Sequence, residues 1–214
     1  MRPDREKNKR QICIPDELFP DAGRLGLQRM NRTREQIESE LLALRAKRGE
    51  TEALDDLLRR WQKRLWRFLR ALCRDDETAW DLLQETCLSI AKSIRTLKRA
   101  EAFPAMAYQI ARRRHADWVR SDKRRRETAE AAVERAVEVE HSGDHGAATE
   151  TERIREAVAR LDEDHRMVIT LAYVEGFACE EIARMLELPL GTVKSRIHYA
   201  KDSIRREIGK ETEA

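Results

Sequence analysis

Residues 177 to 200 read Phe177-Ala178-Cys179-Glu180-Glu181-Ile182-Ala183-Arg184-Met185-Leu186-Glu187-Leu188-Pro189-Leu190-Gly191-Thr192-Val193-Lys194-Ser195-Arg196-Ile197-His198-Tyr199-Ala200, and they divide into two short helices around a tight turn. In the second helix Val193, Ile197, Ala200 and Ile204 recur at steps of four, three and four, which places them on one buried stripe of a 3.6-residue period. Lys194, Ser195, His198 and Lys201 then face outward. Ile182, Ala183, Leu186 and Leu188 supply the partner helix, with Ala183 small where two crossing helices come close. Pro189 and Gly191 interrupt the period between the helices and are expected to make the turn. A helix-turn-helix of this kind lays its second helix in the major groove of DNA, which admits a helix and shows a distinct donor and acceptor pattern for each base pair.

Working back toward the N-terminus, Gly176 should stop a helix carrying Met167, Val168, Leu171 and Ala172, itself preceded by one carrying Ile154, Val158 and Leu161. Residues 152–208 therefore read as one small helical domain, followed by a tail at 209–214. The segment before it, 123–151, begins with the wholly basic run Lys123 to Arg126. It continues with acids at Glu127, Glu130, Glu134, Glu138, Glu140, Asp144 and Glu150 against the lone base Arg135. Almost no large apolar residue occurs there, so it reads as a flexible charged linker with transient helix around Ala129 to Val139.

A second helical domain is expected over residues 50–122. Its first helix carries Ala53, Leu54, Leu57, Leu58, Trp61, Leu65, Phe68, Leu69 and Leu72 on a broad apolar face. Asp75-Asp76-Glu77 then marks the start of another helix, where acids complement the dipole. That helix turns Ala79, Leu82, Leu83, Thr86, Cys87, Ile90 and Ile94 inward and leaves Asp81, Gln84 and Glu85 on an outer face. Past a basic loop from Arg95 to Ala102, Pro104 suits the first turn of a third helix. There Phe103, Ala107, Ile110, Ala111, Trp118 and Val119 are the apolar residues, with Arg112, Arg113, Arg114, His115 and Arg120 expected on exposed faces. Residues 1–49 read as an extension, partly disordered. Prolines, glycines and charges crowd its start, and a helical period in Ile37, Leu41 and Leu44 appears only after Met30, a candidate translation start.

The chain of 214 residues is 39% charged and 5% aromatic, with a formal net charge of +3, a composition that suits small helical domains with charged surfaces. Cys13, Cys73, Cys87 and Cys179 are scattered and read as reduced core thiols, which together with the lack of a signal-peptide pattern or membrane span points to a cytoplasmic protein. No strand-like alternation of useful length occurs, so the fold class expected is all-α. Gly-rich phosphate loops, metal-ligand clusters and nucleophile–base pairs are likewise missing from the sequence, and neither an enzyme nor a bound cofactor or metal is expected. His141 and His145, four residues apart, are read as coincidence.

The ordered pair of domains resembles the bacterial sigma-70 family of RNA polymerase sigma factors, in its short extracytoplasmic-function (ECF) form with regions 2 and 4 only. The C-terminal match runs from Leu161-Asp162-Glu163-Asp164-His165-Arg166 through Tyr173-Val174-Glu175-Gly176-Phe177, Glu180-Glu181-Ile182-Ala183 and Gly191-Thr192-Val193-Lys194-Ser195-Arg196. The N-terminal one comprises Asp81-Leu82-Leu83-Gln84-Glu85-Thr86, Phe103 and Tyr108-Gln109-Ile110-Ala111-Arg112. The resemblance implies that Asp81, Gln84 and Glu85 dock on the coiled coil of the largest subunit of core RNA polymerase, whose flap is a further contact. It also implies that Arg95, Lys98, Arg99, Arg112, Arg113 and His115 track the melted -10 element. Region 4 would read the -35 duplex, with Lys194, Ser195 and His198 at base edges and Thr192, Arg196 and Lys201 at phosphates. An anti-sigma factor is a further partner that the resemblance allows. The family's usual Phe-x-Thr-Trp-Leu is replaced here by Phe103-Pro104-Ala105-Met106-Ala107. The rival reading is a helix-turn-helix regulator that acts without polymerase.

Overall fold

The computed structural model describes residues 34–73, 75–130 and 150–212, all of them helix, 3-10 or π turn, and connecting loops. Eight α-helices occur among them: α1 (Arg34–Lys47), α2 (Thr51–Leu72), α3 (Asp76–Ser93), α4 (Phe103–Glu130), α5 (Glu150–Ala159), α6 (Glu163–Ile169), α7 (Cys179–Leu186) and α8 (Leu190–Thr212). The all-α expectation holds, and its elements fall close to where the apolar periods place them.

The expected inward face of α2 is buried at Ala53, Leu57, Trp61, Leu65, Phe68, Leu69 and Leu72. Asp75 caps α3 by accepting hydrogen bonds from the Thr78 backbone N–H at 2.7 Å and the Thr78 hydroxyl at 3.0 Å, satisfying a donor that the first turn leaves free. Those bonds hold its carboxyl below the usual range. Trp61 packs edge-on against Phe103 and Tyr108 from α4 at centroid distances of 5.2 and 6.1 Å, which fills the centre of the first domain with quadrupole-matched rings. Burial pushes the thiol of Cys73 up to about 11 and those of Cys87 and Cys179 upward as well, consistent with small core residues held as neutral thiols.

Three expectations need correcting. First, the later part of the expected extension is a helix, α1, packed on the first domain, with Ile37, Leu41 and Leu44 on its outer side at 52%, 55% and 44% exposed. Helix α1 instead meets α2 through Ser39, Ala43 and Ala46, and the Trp61 indole donates to Ser39 at 3.3 Å. Small residues let two helix backbones approach closely, and this outweighs the area that the larger side chains could have buried. The later part of the expected extension, from 34 on, thus packs on the first domain; its earlier part, Met30 included, lies outside the described residues. Second, α4 does not end near residue 122 but continues through Glu130, eight residues into the expected linker. The rest of that segment up to 149, with His141 and His145, lies outside the described residues, as does Cys13.

The third correction concerns the turn of the helix-turn-helix. Gly191 sits in the first turn of α8 with open space around it. The chain reverses at Glu187, whose φ of 56° is left-handed, a conformation that costs a non-glycine residue about 1 to 2 kcal/mol. Leu188 then donates to the Ala183 carbonyl at 3.0 Å and closes the end of α7. Gly176 does end the preceding helix as expected, with φ of 74°, after a π turn over Thr170–Val174.

The two domains are packed together. One contiguous apolar cluster joins Leu65, Phe68, Leu69 and Tyr108 to Leu171, Phe177, Ile182, Met185 and Leu186, and a smaller one fixes α5 on α8 through Ala157, Leu161, Ile169, Ala200 and Ile204.

Candidate nucleic-acid interface

On α8, Val193, Ile197, Ala200 and Ile204 are buried and Lys194, Ser195 and His198 are exposed, so the helix presents the polar face its period predicts. Partners within the domain already engage several of these groups. His198 Nε2 lies 3.2 Å from Asp202, and the Ser195 hydroxyl donates to the Thr192 carbonyl at 3.0 Å. Arg196 is half-buried in an ion pair with Asp164 of α6, which gives it a role in holding the recognition helix to its support. Lys201 lies with Nζ 6.0 Å from the Tyr173 ring centroid, and Thr192 is half-buried. Tyr199 projects beside His198, 61% exposed, an aromatic surface next to the polar groups.

Helix α7 is set by Glu181, which accepts from the Ala178 backbone N–H at 3.0 Å; Ala178 itself has no side-chain acceptor, so only half of a capping box exists. Asp162 caps α6 by the reciprocal bond, its side chain accepting from the His165 N–H at 3.0 Å.

Arg95, Lys98 and Arg99 are exposed in the loop between α3 and α4. The basic residues of α4 are placed differently. Arg112 donates to the Leu186 carbonyl at 2.7 Å, Gln109 donates to the Arg184 carbonyl at 3.1 Å, and Arg113 lies 3.4 Å from the Glu187 carboxylate. These groups cover the last carbonyls of α7, where a helix end carries unsatisfied acceptors and partial negative charge. His115, expected on an exposed face, is 2% exposed and has Nδ1 3.2 Å from Glu163 of α6. Burial holds its pKa below the ordinary imidazole value even though Glu163 pulls the other way. The half-buried turn of α4 meets the second domain because α4 is the helix against which α7 packs, and period alone does not show which face a second domain will cover.

Residues to which the sequence reading gave no site role form the centre of this contact. Glu175 has a side chain with no exposed surface. Its Oε2 accepts from Arg64 Nε at 2.7 Å and from the Tyr108 hydroxyl at 2.9 Å, while Oε1 accepts from Arg67 at 3.0 and 3.2 Å. Arg64 also donates to the Glu175 carbonyl at 3.0 Å and lies over the rings of Trp61 and Phe177. Burial opposes the charge of Arg64, but Tyr108 and Glu175 beside it keep its pKa above the ordinary value, and burial together with the Glu175 charge drives the Tyr108 phenol well upward. The available signal was an acid, Glu175, ending an apolar helix, and two arginines three apart between Trp61 and Phe68 on a helix whose apolar face is broad.

On α3, Asp81, Gln84 and Glu85 are exposed on one face as expected. Trp80 and Leu88, one turn before and after Gln84, are also exposed, at 44% and 63%; an aromatic and an aliphatic anchor among acceptors is the composition of a protein-binding patch.

Comparison with known families assigns both halves. Residues 57–125 match the model of sigma-70 region 2 and residues 151–204 that of sigma-70 region 4. The chain belongs to the sigma-70 family. As a member with these two regions in this order, it is a sigma factor that directs promoter-specific transcription. It is similar to the ECF RNA polymerase sigma-E factor of Haemophilus influenzae, 29% identical over 185 residues that cover 81% of this chain and 97% of the relative. The corresponding factor of Escherichia coli K12 is 27% identical over 187 residues, with 81% and 96% covered. Among solved structures, CnrH in complex with the cytosolic domain of CnrY shares the fold with a TM-score of 0.61 at 21% identity, covering 81% of this chain and 98% of that one. Bartonella quintana RpoE, solved in complex with the anti-sigma factor NepR, does so with a TM-score of 0.58 at 22% identity, covering 69% and 91%. Among the described residues no helix is long and apolar enough to cross a membrane.

Proposed function

We propose that this sigma factor works by three surfaces. The α3 face binds core RNA polymerase through Asp81, Gln84 and Glu85 with Trp80 and Leu88 as apolar anchors. The outward face of α8 reads the -35 duplex through Lys194, Ser195 and His198, with Thr192 and Lys201 toward the backbone. The basic residues before and within α4, namely Arg95, Lys98, Arg99, Arg112 and Arg113, hold the melted -10 strand. Region 2 and region 4, each folded around its own helices, are the working units, joined through the segment between α4 and α5.

The observation that carries this reading is the α8 face, because exposed polar groups on a helix held by a buried stripe are what major-groove reading requires. Arg196 contributes to it by fixing α8 on α6 through Asp164, and His115 takes no part in strand binding while it is buried. Polymerase binding places the protein's work in the cytoplasm, and the chain acts as an initiation factor rather than as an enzyme. The relatives solved with anti-sigma proteins make such an inhibitor a natural partner here as well.

In vitro transcription with core polymerase on fragments carrying candidate promoters tests the reading. Start-site-specific transcripts that depend on the added protein are expected. Promoter binding that is unaffected by core polymerase, with no transcript, would favour a regulator acting alone.

A further inference from the structure

Helix α1 carries its larger apolar side chains outward. Ser39, Ala43 and Ala46 meet the first domain, while Ile37, Leu41 and Leu44 lie on the opposite side, each about half exposed. Steps of four and three put these three on one stripe, about 10 Å long at about 1.5 Å per residue. Single exposed leucines are ordinary, but a contiguous apolar stripe on a helix whose inner face is small points to something that covers it.

The area on offer limits what that can be. The stripe exposes on the order of a few hundred Å², whereas a stable interface between two copies of a chain buries about 1,000 Å² or more in all. A short segment of the same chain needs no such area, because a tether replaces the cost of association with a high local concentration.

Such a segment adjoins α1. Residues 1–33, outside the described residues, lead directly into Arg34. Within them Ile12, Ile14, Leu18 and Phe19 lie in the run from Gln11 to Ala22, which holds the acids Asp16, Glu17 and Asp21 and no base. The C-terminal end of α1 is basic to match: Lys47 and Arg48 are exposed, and the exposed Arg95 has Nη2 3.7 Å from where a Cβ on Gly49 would stand. The separation is within reach. Residues 22–33 can span about 40 Å when extended, and α1 is only about 21 Å long.

We propose that residues 12–19 seat on the outer stripe of α1. Ile12, Ile14, Leu18 and Phe19 cover Ile37, Leu41 and Leu44, and Asp16, Glu17 and Asp21 lie toward Lys47, Arg48 and Arg95. The seating depends on no assignment of a DNA or polymerase surface.

The test uses the full chain of 214 residues. Hydrogen exchange read by mass spectrometry is compared between the wild type and a variant with Ile37→Gln, Leu41→Gln and Leu44→Gln, which keeps good helix formers at exposed positions; circular dichroism checks that it is folded. Amides between Ile12 and Phe19 should be protected in the wild type and exchange on the order of tenfold faster in the variant, with those of α2 unchanged. The same fast exchange in both proteins would overturn the proposal. Cys13 supplies a second arm that stands even if the triple variant misfolds, since Cys73 and Cys179 are buried and Cys87 is half-buried. Under mild oxidation Leu41→Cys should form an intramolecular disulfide with Cys13 about tenfold faster than Glu35→Cys, which lies off the stripe, because the bond needs its two Cα atoms within about 7 Å. Equal rates would overturn the seating. A disulfide-linked dimer, or a dimer in light scattering that the glutamine variant abolishes, would overturn it too and give the stripe to a second copy.

Discussion

The two surfaces proposed to carry arginine and lysine toward DNA differ in their surroundings. The α8 face has partners from its own domain, such as Asp202 beside His198 and Asp164 beside Arg196. The α4 face has partners from the other domain, with Arg112 on the α7 carbonyl and His115 shut against Glu163. Both are helices with an apolar stripe and basic residues elsewhere. The difference teaches that a basic residue off the stripe is exposed only if nothing else packs there, a fact about the whole molecule.

The strongest way to break the contrast is to delete the clamp. Glu175→Ala leaves Arg64, Arg67 and Tyr108 facing a void and should cost about 3 to 5 kcal/mol of unfolding free energy in urea titration; a cost below about 1 kcal/mol would show that the apolar contacts alone join the domains. Next in size, Asp81→Lys with Glu85→Lys should weaken co-purification with core polymerase on the order of a hundredfold while the urea midpoint stays put. Binding at the wild-type level would remove the α3 face from the polymerase contact.

The open surface can be sharpened with Lys194→Ala. A loss of about 1 to 3 kcal/mol confined to one base pair of the -35 duplex marks a base contact, whereas an equal loss on every sequence marks a phosphate contact. Smaller again, Asp75→Ala removes the cap of α3 and should lower stability by about 1 kcal/mol, with no effect on duplex binding by α8.

Last comes pH. Because burial depresses the pKa of His115 in the folded protein, the unfolded chain takes up its proton first, near about 6.5. The stability due to neutral His115 is therefore complete above that value and is lost as pH falls from there toward the folded pKa. Glu163 and Arg166 face the same imidazole and act in opposite directions on it. His115→Gln should flatten the urea midpoint across this acid window; an unchanged slope would mean that the ring stays neutral in both states.

Much of the fold could be read from the chain because helix period and punctuation are local. The apolar faces of α2 and α3, the stop at Gly176, the four buried positions of α8 and the outer acids of α3 all follow from spacing. In helix α1 the period shows a helix but not its buried side: Ile37, Leu41 and Leu44 carry the period, yet Ser39, Ala43 and Ala46 are the residues that meet α2. The turn at Glu187 was also hidden, since a glycine two residues past a proline is the usual signal and the strain sits on a charged residue instead.

By itself, then, the sequence determined an all-helical chain with two motif-bearing regions and the outward faces of α3 and α8, because those depend on periods within single helices. Only the tertiary structure decided that Arg64, Arg67 and Tyr108 converge on Glu175 and that Arg112 of α4 binds the end of α7. Those contacts join residues 67 to 111 positions apart, and no local pattern encodes which distant charge will be buried with which.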